Sequence, residues 1–279
     1  MLQTPLDLID TDRYPLHAID TERGQAMVAA IQDELSEHGA ASLTGFLRRD
    51  AIEEMVNEAQ GLAPRAFGGP TSASPYFFNY DIGGSAVEDS HPTRREGKRQ
   101  LSQVAYDLIP EESCLARLYH SDLLTRLVAK IENKPSLTRL ADRYQSLNIS
   151  MMEVGGCQQW HFDRGHLVTT LLLQAPDAGG VFEYVHQLRS ESDENFADVS
   201  RVLDGDRTRV RELDIEAGTL NLFRGHYSMH RVTEVKGSRQ RLQTIFAFAD
   251  APNTHGNLKS SILHYGPRVT EIEFERHIG

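Results

Sequence analysis

The chain has 279 residues, of which 39% are hydrophobic and 25% charged, and its formal net charge is -11. This composition is that of an ordinary globular protein. The negative charge argues against a nucleic-acid partner, and no apolar run is long enough to span a membrane. Two cysteines without a CxxC pair and an N-terminus without a basic signal region favour a cytoplasmic protein.

The first half of the chain is predicted to be helical. Apolar residues at helical spacing indicate a helix that is capped by Thr21 and ends at Gly39. A second helix is predicted with Asp50 as its cap, and the segment 113–135 contains one or two more. The glycine- and proline-rich stretch 67–77 is predicted to be a loop.

From about residue 147 the pattern changes to short strands separated by turns. Strands are predicted at 147–154, 167–174, 180–185, 208–214, 218–223, 229–235 and 241–249, with a helical insertion at 194–206. This spacing indicates a mainly β fold, a jelly-roll barrel with helices covering one outer face. We therefore expect one domain over 1–279: a mostly helical part with pocket loops at 1–146, a jelly-roll core at 147–250 and a C-terminal extension at 251–279.

Two His-x-Asp pairs occur, and their positions distinguish a structural pair from a candidate metal site. His120 and Asp122 lie in a helical run, where Asp122 is expected to support a helix start. His161 and Asp163 are predicted to lie on a turn before a buried strand, from which both side chains can point into a barrel mouth.

A late histidine and an arginine complete the pattern. His230 begins the alternating stretch "HRVTEV", whereas His226 lies in a predicted turn, so His230 is favoured as the third ligand. Two histidines and one carboxylate on a β-scaffold form the facial triad of non-haem Fe(II). Arg241 follows on the next predicted strand, and its guanidinium group suits bidentate binding of a carboxylate.

The order His-x-Asp, His, Arg resembles that of the Fe(II)/2-oxoglutarate-dependent oxygenases. The resemblance implies a double-stranded β-helix in which His161, Asp163 and His230 bind iron. It also implies that Arg241 binds the far carboxylate of 2-oxoglutarate, with O2 as the second co-substrate.

A closer resemblance is carried by "WHFD", "TLLLQ", "GGVFEYV", "GTLNLFRG" and "HRVTEV", and it extends through "HPTRR" and "DLIP" towards the N-terminus. These segments are similar to the BesD-type amino-acid halogenases and their hydroxylase relatives. The halogenases of that group have a glycine at the position of the triad carboxylate, which leaves room for chloride on iron. Because Asp163 occupies this position here, the resemblance implies hydroxylation.

Further polar residues are candidates for the co-substrate or the substrate. Asn148 and Thr170, on strands that flank the metal turn, are expected to bind 2-oxoglutarate or substrate, or else to be satisfied core groups. Arg94 is a candidate for binding a substrate carboxylate, with His91 beside it, because both belong to a loop that could fold over the barrel mouth. The region 67–99 that contains this loop is either an ordered wall or a lid.

Three residues near the motifs have both a structural and a substrate-binding interpretation. Arg164 is either a surface arginine or a cation that binds an anionic substrate group and disfavours a lysine-like side chain. Trp160 is favoured as a packing residue over a substrate wall. Glu183 is expected to face the pocket, with Phe182 and Tyr184 on the opposite face of their strand.

The chain is therefore predicted to be an enzyme that hydroxylates an unactivated C–H bond of a free amino acid or a similar small polar metabolite, releasing succinate and CO2. One alternative keeps the cofactors but ends in desaturation, epoxidation or cyclisation. Another is a non-catalytic β-barrel that binds a metal or a small ligand, which would not need Arg241. A homodimer through the N-terminal helices is compatible with the sequence.

Overall fold

The computed structural model describes residues 4–77 and 87–270. Its largest sheet contains eleven antiparallel strands, β1 to β3, β5 to β7, β9 to β12 and β14. The strands of this sheet are β1 (Ala40–Leu43), β2 (Phe67–Ala73), β3 (Gly97–Val104), β5 (Leu147–Met152), β6 (Cys157–His161), β7 (Val168–Gln174), β9 (Phe182–Val185), β10 (Arg211–Leu213), β11 (Leu220–Phe223), β12 (Met229–Val232) and β14 (Arg241–Phe246).

The strand order along this sheet is β1-β11-β7-β14-β5-β3-β6-β12-β9-β10, with β2 attached to β3. Two short pairs flank it, β13 (Val235–Lys236) with β8 (Ala178–Gly179) and β15 (Phe248–Ala249) with β4 (Thr138–Arg139). The sheet curls so that β14 and β5 on one side and β6 and β12 on the other line the same cavity. This is the predicted jelly-roll architecture.

Seven α-helices belong to the described part of the chain. They are α1 (Pro5–Leu8), α2 (Glu22–His38), α3 (Arg49–Leu62), α4 (Cys114–His120), α5 (Asp122–Ile131), α6 (Phe196–Leu203) and α7 (Leu258–Tyr265). The predicted ends of α2 are confirmed, since the Thr21 hydroxyl accepts from the Gly24 N–H and Gly39 has a left-handed φ of 74°. None of these helices is both long and apolar enough to cross a membrane.

The main hydrophobic core lies between helices α1 to α5 and the outer face of β7, β11, β14 and β5. Strand β14 shows how the sequence divides the two faces: Leu242 and Phe246 are buried in this core, whereas Gln243 and Ile245 line the inner cavity. Each fully buried leucine or phenylalanine contributes about 1.5–3 kcal/mol. The helices therefore hold the sheet from outside and leave its inner face free for polar groups.

Some expectations about local structure are wrong. The stretch 67–77 is not a loop, because Phe67–Ala73 forms β2 and pairs along its whole length with β3. Pro70 is tolerated since β2 is an edge strand, where one side of the backbone needs no partner. Asp50 is not the cap of α3 but lies in its first turn, after the N-cap residue Arg48.

Candidate active site

Three side chains meet where β6 and β12 pair. His161 is the last residue of β6 rather than part of a turn, and it lies opposite His230 of β12. Asp163 follows two residues later, with Oδ1 3.8 Å from His161 Nε2 and Oδ2 3.1 Å from His230 Nε2. All three ligand atoms lie within 4.8 Å of one another. The geometry is that of a site that one metal ion could fill.

Backbone groups orient the two rings. The Nδ1 atom of His161 lies 2.8 Å from the carbonyl oxygen of Gln159, and that of His230 lies 3.0 Å from the carbonyl oxygen of Ser228. Because a carbonyl oxygen only accepts, both Nδ1 atoms carry the proton and each Nε2 keeps a lone pair that a metal could use. At His161 this lone pair accepts from the Gln158 side-chain Nε2 over 3.0 Å.

The charge states of the triad also fit a metal. Burial, together with the neighbouring His230, lowers the pKa of His161 to about 3. Burial on its own would raise the pKa of Asp163, but the two histidines outweigh this effect and lower it. Neutral imidazole and ionised carboxylate are the forms that bind a divalent metal.

In front of the triad lies a cavity of about 310 Å³. Its apolar wall is formed by Val168, Phe182, Phe223, Val232 and Ile245, and its polar groups include Gln103, Asn148, Thr170, Asn221 and Gln243. Asp163 is the one acidic side chain among the described lining residues. Within this part of the chain the cavity therefore offers hydrogen bonds but no second negative charge.

Arg241, the first residue of β14, is on the same face of the strand as the cavity-lining Gln243 and Ile245. Its side chain is only 3% exposed and donates to Gln243 Oε1. No charged group of the described chain offsets its burial, which lowers its pKa to about 10. A buried guanidinium without a counter-charge is costly, and an anionic ligand would remove that cost.

A second buried arginine, Arg99 of β3, was not expected from the sequence. It is 3% exposed, lines the cavity and donates to Nδ1 of His264 on α7 over 2.8 Å. Its Nε has no hydrogen-bond partner in the described structure, and burial lowers its pKa to about 10. Burial, together with the charge of Arg99, lowers the pKa of His264 to about 3. Arg99 therefore faces the cavity as a cation held by a neutral ring.

One signal could have revealed Arg99. The signal is the alternation of Arg99, Leu101 and Gln103, which are the buried residues of β3, a strand that was not predicted from the sequence. His264 gives no comparable signal, because α7 reaches the cavity only through its packing against β2 and β3.

Asn148 and Thr170 both line the cavity and are buried, as their predicted roles require. Asn148 Oδ1 accepts from Gln103 Nε2 over 3.3 Å, so it is also a satisfied polar group. Arg164 is exposed and lies at the rim of the cavity. Contact of these residues with 2-oxoglutarate or substrate stays a prediction.

The expectation that Glu183 faces the pocket is wrong. Phe182 and Tyr184 do share a face, but it is the face of His230, and Phe182 lines the cavity. Glu183 is on the other side of the sheet, 2.7 Å from Arg231 Nε and 2.7 Å from Arg207 Nη2. The register explains this placement, because Glu183 lies directly opposite Arg231.

Trp160 is a packing residue, as favoured. It is 8% exposed, and Arg231 stacks 4.7 Å from the centre of its ring, on the side of β6 opposite His161. His226 does not belong to the cluster of metal-ligand atoms formed by His161, Asp163 and His230, and its Nδ1 lies 3.2 Å from the carbonyl oxygens of Asp163 and Arg164.

His91 and Arg94 are not brought to the triad cavity. The His91 ring packs 4.4 Å from that of Phe196, and Arg94 is exposed. Their predicted contact with substrate stays a prediction that this placement does not favour. Residues 78–86, within the region expected to be a wall or a lid, lie outside the described residues.

Three solved structures illustrate the similarity of fold. The non-haem α-ketoglutarate-dependent epimerase SnoN from nogalamycin biosynthesis has a TM-score of 0.56 at 14% identity, over 81% of this chain and 84% of that one. AviO1 from Streptomyces viridochromogenes Tue57 gives 0.54 at 18%, over 80% and 95%. A prolyl-4-hydroxylase from Pseudomonas putida gives 0.50 at 16%, over 80% and 99%. No curated protein matches the sequence.

At these sequence identities the solved structures show only that the fold is shared. The family is shown by a match of the sequence to a family model. SnoN is also known in complex with Fe3+ and α-ketoglutarate. A family model described as Halogenase D matches residues 85–264, which is more than half of the chain. The family match, the shared fold and the clustered side chains of His161, Asp163 and His230 together support the prediction of an Fe(II)- and 2-oxoglutarate-dependent oxygenase. The chain belongs to the Halogenase D family.

Proposed function

We propose that this oxygenase hydroxylates a free amino acid or a similar small carboxylate-bearing metabolite. The observation that carries the proposal is a three-residue metal site opening onto a cavity that the buried Arg99 lines, with a second buried arginine, Arg241, on the same face of β14 as the lining residue Gln243. Neither arginine has an acidic partner in the described chain. Each of the two guanidinium groups can bind a carboxylate, so the site offers places for two anions. We assign one to 2-oxoglutarate and the other to the substrate.

The triad residues would hold iron through His161 Nε2, His230 Nε2 and the Asp163 carboxylate. Iron with 2-oxoglutarate and O2 supplies the oxidising chemistry, which releases succinate and CO2 and leads to attack on a C–H bond. The chain itself provides a fixed donor set, because backbone carbonyls lock both rings. The apolar walls around Phe182 and Phe223 exclude water from the reacting carbon.

Arg241 is assigned to the far carboxylate of 2-oxoglutarate. It is buried on the inner face of β14, where the charge-assisted hydrogen bonds of a carboxylate would replace the water that the guanidinium has lost. Asn148 and Thr170 supply further hydrogen bonds on the same side of the cavity. A purely metal-binding barrel would have no use for a buried cation here.

Arg99 is assigned to the carboxylate of the substrate. His264 and Gln103 hold the guanidinium through one Nη, and the buried Nε–H has no partner in the described structure. A substrate carboxylate would satisfy this donor. Because Asp163 is the one acidic lining residue of the described chain, a substrate ammonium group would meet neutral acceptors such as Gln103 and Gln145. This favours amino acids with a neutral or acidic side chain over lysine-like ones, and Arg164 at the rim adds to that preference.

We also propose that the reaction is hydroxylation rather than halogenation. The chain resembles BesD-type halogenases and their hydroxylase relatives, and in those halogenases a glycine leaves room for chloride on iron. Here Asp163 fills that position and lies 3.1 Å from His230.

The helical part, the β core and α7 would act as one catalytic unit, because α1 to α5 support the sheet and α7 covers the cavity.

The test is a substrate screen with two readouts. Fe(II)-loaded protein is incubated in air with 2-oxoglutarate and single amino acids, and succinate release and product mass are measured. Leucine, glutamine and glutamate are compared with lysine as a matched set. We expect a neutral or acidic amino acid to stimulate succinate release and to gain one oxygen atom. A product that is lighter than the substrate by two hydrogen atoms would show that the reaction is desaturation rather than hydroxylation. Binding of 2-oxoglutarate without turnover of any amino acid would contradict the proposed substrate class.

A further inference from the structure

We propose that Gly225 is a positioning residue for the metal-binding carboxylate of Asp163. This inference rests on the proposed function, since it concerns the residue assigned to the metal. Gly225 lies in the turn between β11 and β12, outside the triad and outside the described lining of the cavity. It would act by having no side chain where the carboxylate must lie.

The space beside Gly225 is filled by Asp163. A Cβ atom built on Gly225 would lie 2.0 Å from Asp163 Oδ2, 2.8 Å from Cγ and 2.9 Å from Cβ. Contacts shorter than 3.0 Å are essentially never seen for real Cβ atoms, so a methyl group here would displace the carboxylate. The oxygen it would displace is Oδ2, which lies 3.1 Å from Nε2 of His230.

The backbone prevents Asp163 from moving away as a whole. Its N–H donates to the carbonyl oxygen of Gly225 over 3.0 Å, so the same residue both holds the Asp163 backbone and clears space for its side chain. His226 closes the turn from the other side, because its Nδ1 lies 3.2 Å from the carbonyl oxygens of Asp163 and Arg164. With its main chain held, Asp163 could relieve the contacts to Oδ2 and Cγ only by rotating its side chain out of the metal site, while the 2.9 Å contact to Cβ requires in addition a shift of about a tenth of an ångström.

The backbone conformation does not itself require glycine. Gly225 is not one of the glycines with φ in the left-handed region, so alanine can adopt its conformation without strain. The three nearest atoms to the added Cβ all belong to the Asp163 side chain. We infer that the site, rather than the fold, requires glycine at this position.

The test compares two alanine variants of neighbouring turns. In Gly225→Ala the methyl group meets the carboxylate, whereas in the control Gly165→Ala the nearest atom is the Leu167 carbonyl oxygen at an ordinary 3.7 Å. Metal affinity is measured with Co(II) alone, and folding is followed by circular dichroism and Tm. Loss of a group that orients a metal ligand typically weakens binding about 10- to 100-fold. We expect this loss in Gly225→Ala, with folding unchanged, and no loss in Gly165→Ala.

A double variant shows whether the effect passes through the carboxylate. In an Asp163→Gly background the clash no longer exists, so Gly225→Ala should cause no further loss of Co(II) affinity. An equal loss in both backgrounds would overturn the proposal, as would wild-type affinity in Gly225→Ala. An unfolded Gly225→Ala protein would also overturn it, because glycine would then be required by the fold. A wild-type protein that binds Co(II) but not 2-oxoglutarate would contradict the proposed function and leave this comparison intact.

Discussion

Replacement of Arg241 by glutamine separates the binding role of this arginine from any structural role. In the wild-type protein the side chain is 3% exposed, and its described polar side-chain partner is the neutral Gln243. Burial lowers its pKa to about 10, so folding the chain without a bound anion carries a desolvation cost. The glutamine variant removes that cost and at the same time removes the carboxylate-binding fork.

The two effects have opposite signs. Charge-assisted hydrogen bonds to a buried carboxylate contribute about 3 kcal/mol, and each 1.4 kcal/mol corresponds to about a factor of ten in affinity. The affinity for 2-oxoglutarate should therefore fall roughly 100-fold. The free energy of unfolding of the metal-free protein should stay the same or rise, because no described ion pair is broken.

The assay is calorimetric titration of 2-oxoglutarate into the protein loaded with Mn(II), together with urea unfolding of the metal-free form. Arg239→Gln is the matched control, since Arg239 precedes the same strand but is exposed and pairs with the exposed Asp177. Its affinity for 2-oxoglutarate should equal that of the wild type. Wild-type affinity in Arg241→Gln would refute the assignment of the co-substrate to this residue.

Three further changes test other parts of the site. Arg99→Gln should raise the KM for the amino acid about 100-fold in steady-state kinetics without changing 2-oxoglutarate affinity, and an equal loss of both would refute the division of the two arginines. Burial holds the pKa of His264 in the folded protein near 3. Between about pH 3 and pH 6.5 only the unfolded state gains a proton on this ring, so the free energy of unfolding falls as the pH is lowered. His264→Gln should make that slope shallower by up to about 1.4 kcal/mol per pH unit in urea titrations, and an unchanged slope would contradict the buried neutral ring. Glu183→Gln should lower the free energy of unfolding by about 3 kcal/mol while leaving metal affinity unchanged, whereas a loss of metal binding would place Glu183 in the site.

The triad residues and Arg241 could be found from sequence because each is tied to a strand by short-range patterns. His161 and Asp163 are two residues apart beside a strand, and His230 begins a run that alternates polar and apolar residues. The structure brings these three together through one antiparallel pairing, that of β6 with β12. Because β6 and β12 are far apart in the sequence, the resemblance of the motif order, rather than the local pattern, indicated that these residues meet.

Glu183 shows what alternation alone leaves open. The period of two correctly placed Phe182 and Tyr184 on one face, but it does not say which face is the inner one. That choice is made by the register with β12, where Glu183 meets Arg231 and Val232 meets Phe182. An opposite-charge pair on two predicted strands is the signal that would have given the right face.

The contact between Arg99 and His264 could not be predicted, because it joins two distant parts of the chain. They are 165 residues apart and meet only when α7 packs against β2 and β3. The edge strand β2 contains Gly68, Gly69 and Pro70, a composition typical of turns, so its pairing with β3 was not visible in the sequence. Tertiary packing determined both features.

The most direct test of the central claim is anaerobic. Fe(II) and 2-oxoglutarate are added to the metal-free protein, and the visible spectrum is recorded for the weak metal-to-ligand charge-transfer band of the chelate. We expect the band in the wild type and its loss when either His161 or His230 is replaced by alanine. A folded, iron-loaded wild-type protein without the band would contradict the assignment of this cavity to Fe(II) and 2-oxoglutarate.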